Sequence, residues 1–169
     1  MQKFPSLLSH EAIEDAFFLF RNLPNHVNID SQQVDRHAPS AIGHFLLAKF
    51  TNKEFDFIWQ EVKQQIKDHS LVYCRILKYN KGCYIQPHTD SYSQGQQESD
   101  KSLIIQMNPL EDFKGGAPIV SRELIELNPG DGVLYEYSEE HEVKPVQKGL
   151  RYVINLRLKT DKYIHKRTT

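Results

Sequence analysis

"LRYVINLRLK", residues 150–159, alternates with a period of two, the spacing of a strand whose successive side chains point to opposite faces. Leu150, Tyr152, Ile154, Leu156 and Leu158 share one face, which belongs on a core. Arg151, Val153, Asn155 and Arg157 share the other. An arginine turned inward needs an anion, because an unpaired buried charge is costly. A carboxylate gripped in a bidentate fork is the fitting partner. A solvent-facing strand with salt-bridged arginines would show the same alternation, so the rest of the chain has to decide.

Seven further runs upstream carry strand character: "SLVYCRILKY", "CYIQPH", "KSLIIQMN", "APIVS", "LIELN", "GVLYEYS" and "HEVKPV". Turn residues divide them, as in "NKG", "FKGG" and "NPGDG". Gly115 and Gly116 read as a turn or bulge, and 128–132 as a turn before an interior strand. The first part of the chain is helical instead. Ser9 can cap a helix with Ile13, Ala16, Phe17 and Phe20 on one face. Residues 25–50 are irregular, with a short strand in "HFLLAKF". A second helix is expected from Thr51, where Thr51 and Glu54 form a capping box and Phe50 and Phe55 a hydrophobic staple. Its apolar face comprises Phe55, Ile58, Trp59, Val62 and Ile66.

Two helices ahead of eight strands imply an α+β, mainly β chain, a jelly-roll sandwich with the helices packed on one sheet. Neither an internal repeat nor a linker divides it, so residues 1–169 are expected to form one domain, with helical support over 1–70 and the jelly-roll core over 71–160. The polar stretch "SYSQGQQESD", residues 91–100, reads as a loop between strands that can cover a site.

A net charge of −1 gives no field for steering nucleic acid, so none is expected as a partner. The basic end "KYIHKRTT" reads as a solvated terminus. Cys74 and Cys83 are too few for a disulfide framework and are expected to be reduced. "HEAIEDAFFLF" carries three acids and does not read as a secretory leader, and no apolar run is long enough to span a bilayer. A cytoplasmic enzyme or binding protein, with no membrane partner, is the expectation.

His88 and Asp90, in "YIQPHTDSYS" at 84–93, fall two apart at a strand end and so share a face. Alone, the pair is equally a surface histidine beside an acid. A metal would require another ligand from a distant strand. Of the remaining histidines, His141 opens a strand in the later β region, whereas His10, His26, His37, His44, His69 and His165 fall in helices, irregular segments or the tail. Two imidazoles and one carboxylate on one face form the facial triad of non-haem Fe(II) oxygenases.

The order Tyr79, Gly82, Tyr84, His88, Asp90, then "KSLIIQMN", "FKGGAPIV" and "LNPGDGVLYEYSEEHEVKPVQKGLRY", resembles the Fe(II)/2-oxoglutarate-dependent dioxygenases of the prolyl-4-hydroxylase-like branch. The resemblance covers about residues 71–160 and implies a double-stranded β-helix; the helical first 70 residues match in type only. It implies Fe(II), 2-oxoglutarate and O2, with ascorbate as an accessory reductant. His88, Asp90 and His141 would be the iron ligands, and Arg151 would pair with the distal carboxylate of 2-oxoglutarate. Tyr79 matches a tyrosine aimed at the cosubstrate, while Gln106 stands where some relatives have a second tyrosine. The implied reaction converts 2-oxoglutarate to succinate and CO2 and hydroxylates an unactivated C–H. In related halogenases a small residue replaces the carboxylate, so Asp90 points to hydroxylation.

The branch suggests a prolyl or other amino-acid side chain as substrate, in a peptide, free, or as a small molecule. Arg157 and Asn155 on the Arg151 face, with Tyr92 on the polar loop, are the candidate substrate contacts. Two other classes fit a jelly roll: a cupin-like metalloenzyme, which usually begins its ligand set with a His-x-His absent here, and a non-catalytic binding protein.

Overall fold

The computed structural model describes residues 1–22, 26–29, 45–49, 53–90 and 99–161. Two helices, α1 (His10–Asn22) and α2 (Asp56–Gln65), lie against one face of a seven-stranded antiparallel sheet. In chain order its strands are β1 (Gln2–Phe4), β2 (His26–Ile29), β3 (Phe45–Lys49), β4 (His69–Tyr79), β6 (Lys101–Gln106), β10 (Gly132–Glu136) and β13 (Arg151–Thr160). The spatial order is β1-β10-β6-β13-β4-β3-β2, which puts β13 at the centre. A second sheet orders β5 (Ile85–His88), β11 (His141–Val143), β8 (Pro118–Val120) and β9 (Glu123–Leu124). A small pair joins β7 (Phe113–Gly115) to β12 (Val146–Gly149).

The alternation of β13 decides which side faces what. Ile154, Leu156 and Leu158 are fully buried under Ala16 and Phe20 of α1 and Ile58 and Val62 of α2. Leu150, expected on this face, lies outside the strand and is exposed, so the face begins at Tyr152, whose ring meets Phe17 and Phe20 edge-on. The other face of β13 continues across its neighbours. Arg151 pairs with Tyr79, Val153 with Leu77 and Gln106, Asn155 with Arg75 and Ile104, and Arg157 with Tyr73 and Ser102. Directly opposed residues share a face, so these side chains form the interior row that fronts the second sheet.

Ser9 caps α1 as expected: its hydroxyl accepts from the Ala12 amide at 3.2 Å and donates to Glu61 of α2 at 2.7 Å. A cap of this kind stabilises by about 1 kcal/mol. The second helix departs from expectation. It begins at Asp56 after an N-cap, Phe55, that has no side-chain cap, so the Thr51–Glu54 box does not open it. Thr51 and Phe50 lie outside the described residues. The strands β1, β2 and β7 were not foreseen, "HEVKPV" covers β11 and only the first residue of a separate β12, and "LIELN" supplies only the last residue of the two-residue β9.

Both cysteines are free and buried. Gly115 and Gly116 have φ of +75° and +72°, in the left-handed region that side chains disfavour. A Cβ on Gly115 would stand 2.3 Å from the Pro145 carbonyl oxygen, and one on Gly116 would stand 2.6 Å from Val146 and 3.4 Å from Cδ of Arg151. Gly115→Ala is therefore expected to destabilise by roughly 1–3 kcal/mol, the range for a strained backbone residue. A lower urea midpoint with an unchanged slope is the check; an unchanged midpoint would mean that β7 and β12 separate at little cost.

Candidate active site

His88 ends β5 and His141 opens β11, and the antiparallel register sets them directly opposite one another. Their ring centroids are 4.2 Å apart. Each Nδ1 donates to the backbone carbonyl two residues earlier, Gln86 at 2.8 Å and Glu139 at 2.9 Å. A carbonyl can only accept, so Nδ1 carries a proton in both rings, and Nε2 is left as the nitrogen through which each neutral ring ligates a metal. Asp90 is held beside them by its amide, which donates to Tyr137 O at 3.0 Å. Its carboxylate lies 3.7 Å from Nε2 of His88 and 3.6 Å from Nε2 of His141. The three ligand atoms lie within 4.8 Å of one another, so two nitrogens and an oxygen converge as a facial donor set able to hold a metal ion.

Arg157 requires a correction. Rather than standing free for a substrate, its guanidinium forks on Asp90: Nη1 donates to Oδ2 and Nη2 to Oδ1, the latter at 3.1 Å. The guanidinium also sits 4.9 Å from the centroid of the Tyr137 ring. Burial opposes the Asp90 charge, but the Arg157 hydrogen bonds and charge, with His141 and His88, outweigh it and hold the carboxyl below its usual range. The pair also raises the Arg157 guanidinium against its own desolvation. Burial lowers His141, with His88 acting the same way and Asp90 opposing it, which favours the neutral, ligating ring.

At the other end of the interior row sits Arg151, 1% exposed and among the largest fully buried side chains. Its Nε donates to Oε1 of Gln106 at 3.1 Å, and its guanidinium lies 5.4 Å from the centroid of the Tyr79 ring. Gln106 is itself oriented: its amide nitrogen donates to the Asn108 carbonyl at 2.9 Å and to Asn108 Oδ1 at 3.1 Å. Thus Gln106, which stands where some relatives have a second tyrosine near the cosubstrate, turns its oxygen to Arg151 and orients the guanidinium. Nη2 of Arg151 is buried with no hydrogen-bond partner among the described residues. Desolvation lowers its pKa to about 10, with the nearby Tyr79 and Tyr135 opposing, so it remains a cation at neutral pH. A buried cation with an unused donor fits an anionic group.

One narrow cavity joins these parts, with His88, His141, Tyr79, Arg151, Asn155 and Arg157 among its walls. Asn155 is fastened to Ser102 Oγ at 3.1 Å, and its Oδ1 accepts from Nε of Arg75 at 2.8 Å. Sequence reading missed Arg75, although the strand period of "SLVYCRILKY" alone puts it on the face of Tyr79. It also missed Tyr135, whose ring lies 4.7 Å from that of His141. Tyr92 and most of the polar loop, residues 91–98, lie outside the described residues.

Comparison with known proteins gives this geometry its relatives. Over 80 residues the chain is 32% identical to a PKHD-type hydroxylase of Idiomarina loihiensis, a match covering 45% of this chain and 37% of that protein's length. An oxidoreductase of the 2OG-Fe(II) oxygenase family from Burkholderia pseudomallei superposes with a TM-score of 0.70 at 14% identity, over 94% of this chain and 84% of the other. A Pseudomonas putida prolyl-4-hydroxylase superposes at 0.65 and 13% identity, over 95% and 92%. These structural likenesses establish the double-stranded β-helix fold. The sequence model of the 2OG-Fe(II) oxygenase superfamily matches residues 74–158, a span that runs from β4 through β13 and takes in both histidines, Asp90, Arg151 and Arg157. The chain belongs to the 2OG-Fe(II) oxygenase superfamily.

Proposed function

We propose that this chain is an Fe(II)- and 2-oxoglutarate-dependent dioxygenase that hydroxylates an unactivated C–H of a prolyl or other amino-acid side chain, free or in a peptide. The observation that carries the reading is Arg151: a buried guanidinium with an unused Nη2 donor, in the cavity that His88 and His141 of the His88–Asp90–His141 donor set also line. Neither a structural histidine pair nor a plain binding pocket calls for both.

In this reading His88, Asp90 and His141 are the residues that would hold Fe(II). Arg151 takes the distal carboxylate of 2-oxoglutarate, with the Tyr79 ring against the guanidinium and Gln106 fixing its Nε. Bound together, iron and 2-oxoglutarate supply oxygen activation, with release of succinate and CO2. The protein's part is to fix geometry and exclude water, and the apolar walls Leu77, Val120 and Val153 serve the second purpose. Retention of the Asp90 carboxylate favours hydroxylation over halogenation.

The substrate class takes its support from relatives that are named as a PKHD-type hydroxylase and a prolyl-4-hydroxylase. Residues 1–169 act as one domain, with helical support over 1–70 and the jelly-roll core over 71–160. A cytoplasmic setting accords with two free, buried cysteines. No helix among the described residues is long and apolar enough to cross a membrane.

The test is turnover by the purified chain reconstituted with Fe(II). Succinate is expected only when iron, 2-oxoglutarate and O2 are all present, in step with oxygen consumed. Oxygen consumption that ignores 2-oxoglutarate would point to cupin-type chemistry. Bound iron and 2-oxoglutarate without any succinate would mark a binding protein.

A further inference from the structure

Three arginines line the cavity, and two have assigned anions. Arg157 is forked on Asp90, and Arg151 is reserved for the distal carboxylate of 2-oxoglutarate. Arg75 is the third. From it we infer, resting on the dioxygenase reading above, that the substrate is a small molecule with a free carboxylate close to the carbon that reacts, and that Arg75 binds that carboxylate.

Arg75 sits on β4 opposite Asn155 of β13. Two contacts orient it: Nε donates to Asn155 Oδ1 at 2.8 Å, and the guanidinium lies 5.7 Å from the centroid of the Tyr73 ring. Asn155 is 2% exposed and anchored by Ser102 Oγ and the Leu103 carbonyl, so it is a firm support. With Nε engaged, the two terminal nitrogens have no hydrogen bond among the described residues, and no ion pair there involves Arg75. A guanidinium held by Nε offers its end to a planar carboxylate. Glu142, the one acid among the described lining residues, is already paired with Lys144 at 2.9 Å.

Position assigns this cation to the substrate. Asn155 stands two residues, about 7 Å, along β13 from Arg157, and four residues, about 13 Å, from Arg151. Arg75 therefore sits toward the Asp90 end of the cavity, away from the 2-oxoglutarate distal carboxylate. The reacting carbon must approach the same end. Charge points the same way. Three guanidinium groups and a divalent cation, set against the Asp90 carboxylate and a 2-oxoglutarate dianion, leave the loaded cavity two positive charges in excess. A negatively charged substrate reduces that excess. A phosphate is the weaker match, because both helices pack on the opposite face of the sheet and offer it no amide nest. An internal peptide residue has no free α-carboxylate to offer.

The experiment measures binding to protein loaded with Mn(II) and 2-oxoglutarate, using each standard free L-amino acid and its α-carboxamide as probes. At least one free acid is expected to bind, with its carboxamide roughly tenfold or more weaker, the effect of losing a charge-assisted pair. Arg75→Met should erase that preference, and Arg75→Lys should restore part of it. Failure of every free acid to bind, equal binding of acid and carboxamide, or a preference that survives Arg75→Met would overturn the assignment. The underlying reading fails separately: wild-type protein that takes up Mn(II) but no 2-oxoglutarate would remove the dioxygenase proposal itself.

Discussion

His141→Ala is expected to abolish Fe(II) binding at this site. The substitution removes one of three converging donors and leaves His88 and Asp90, the second already gripped by Arg157. In the intact site a metal competes with that guanidinium for Asp90 with two imidazoles in its favour; with one, the ion pair prevails. Loss of an outer partner alone typically costs 10–100-fold in metal affinity, so loss of a direct ligand should exceed about a hundredfold. The fold should survive, because the β11 pairings to β5 and β8 run through the backbone. Anaerobic Fe(II) titration, with a thermal melt of the apoprotein as control, makes the check. Affinity like that of wild type in a folded mutant would move the third ligand elsewhere.

Arg151→Met should leave the metal in place and remove the grip on 2-oxoglutarate. A charge-assisted hydrogen bond contributes roughly 1.5–3 kcal/mol, so the cosubstrate affinity should fall about ten- to a hundredfold. Arg151→Lys should keep part of it, since the charge remains while the planar fork is lost. Stability should move little by comparison. A buried cation without an acid partner is removed, which is often neutral or favourable, while Gln106 Oε1 loses its donor at about 1–3 kcal/mol. Titration of Mn(II)-loaded protein with 2-oxoglutarate separates the two effects. An unchanged affinity in the Met variant would reject Arg151 as the cosubstrate residue.

What the chain disclosed in its sequence follows its periodicities. The two faces of β13 were legible because strict alternation sorts side chains whatever the neighbours are, and α1 was legible because Ser9 precedes a clear amphipathic stripe. The start of α2 was not, since a capping box is a local signal that tertiary packing of Phe55 overrides. The strands β1 and β7 span three residues each, too short to establish a period. Within the site, His88 and Asp90 were legible as a pair two apart at a strand end, His141 and Arg151 stood out by their strand positions, and the family resemblance supplied their roles. The role of Arg157 was hidden, because its partner Asp90 is 67 residues away and is brought to it by the chain after β5, where the Asp90 amide bonds the Tyr137 carbonyl. Arg75 was overlooked for a different reason: a lone arginine in an apolar strand reads as a surface residue until Asn155 is found opposite it.

In the proposed enzyme one cavity holds a metal on His88, Asp90 and His141 and 2-oxoglutarate on Arg151, with the two in contact. Ligands that touch must couple, and the coupling must be reciprocal. Calorimetry with redox-inert Mn(II) and 2-oxoglutarate, each titrated in the absence and presence of the other, measures it directly. One site is expected for each, with cosubstrate tightening metal by the same factor as metal tightens cosubstrate. Two independent sites with no coupling, or 2-oxoglutarate that does not bind even to the metal-loaded protein, would contradict this expectation.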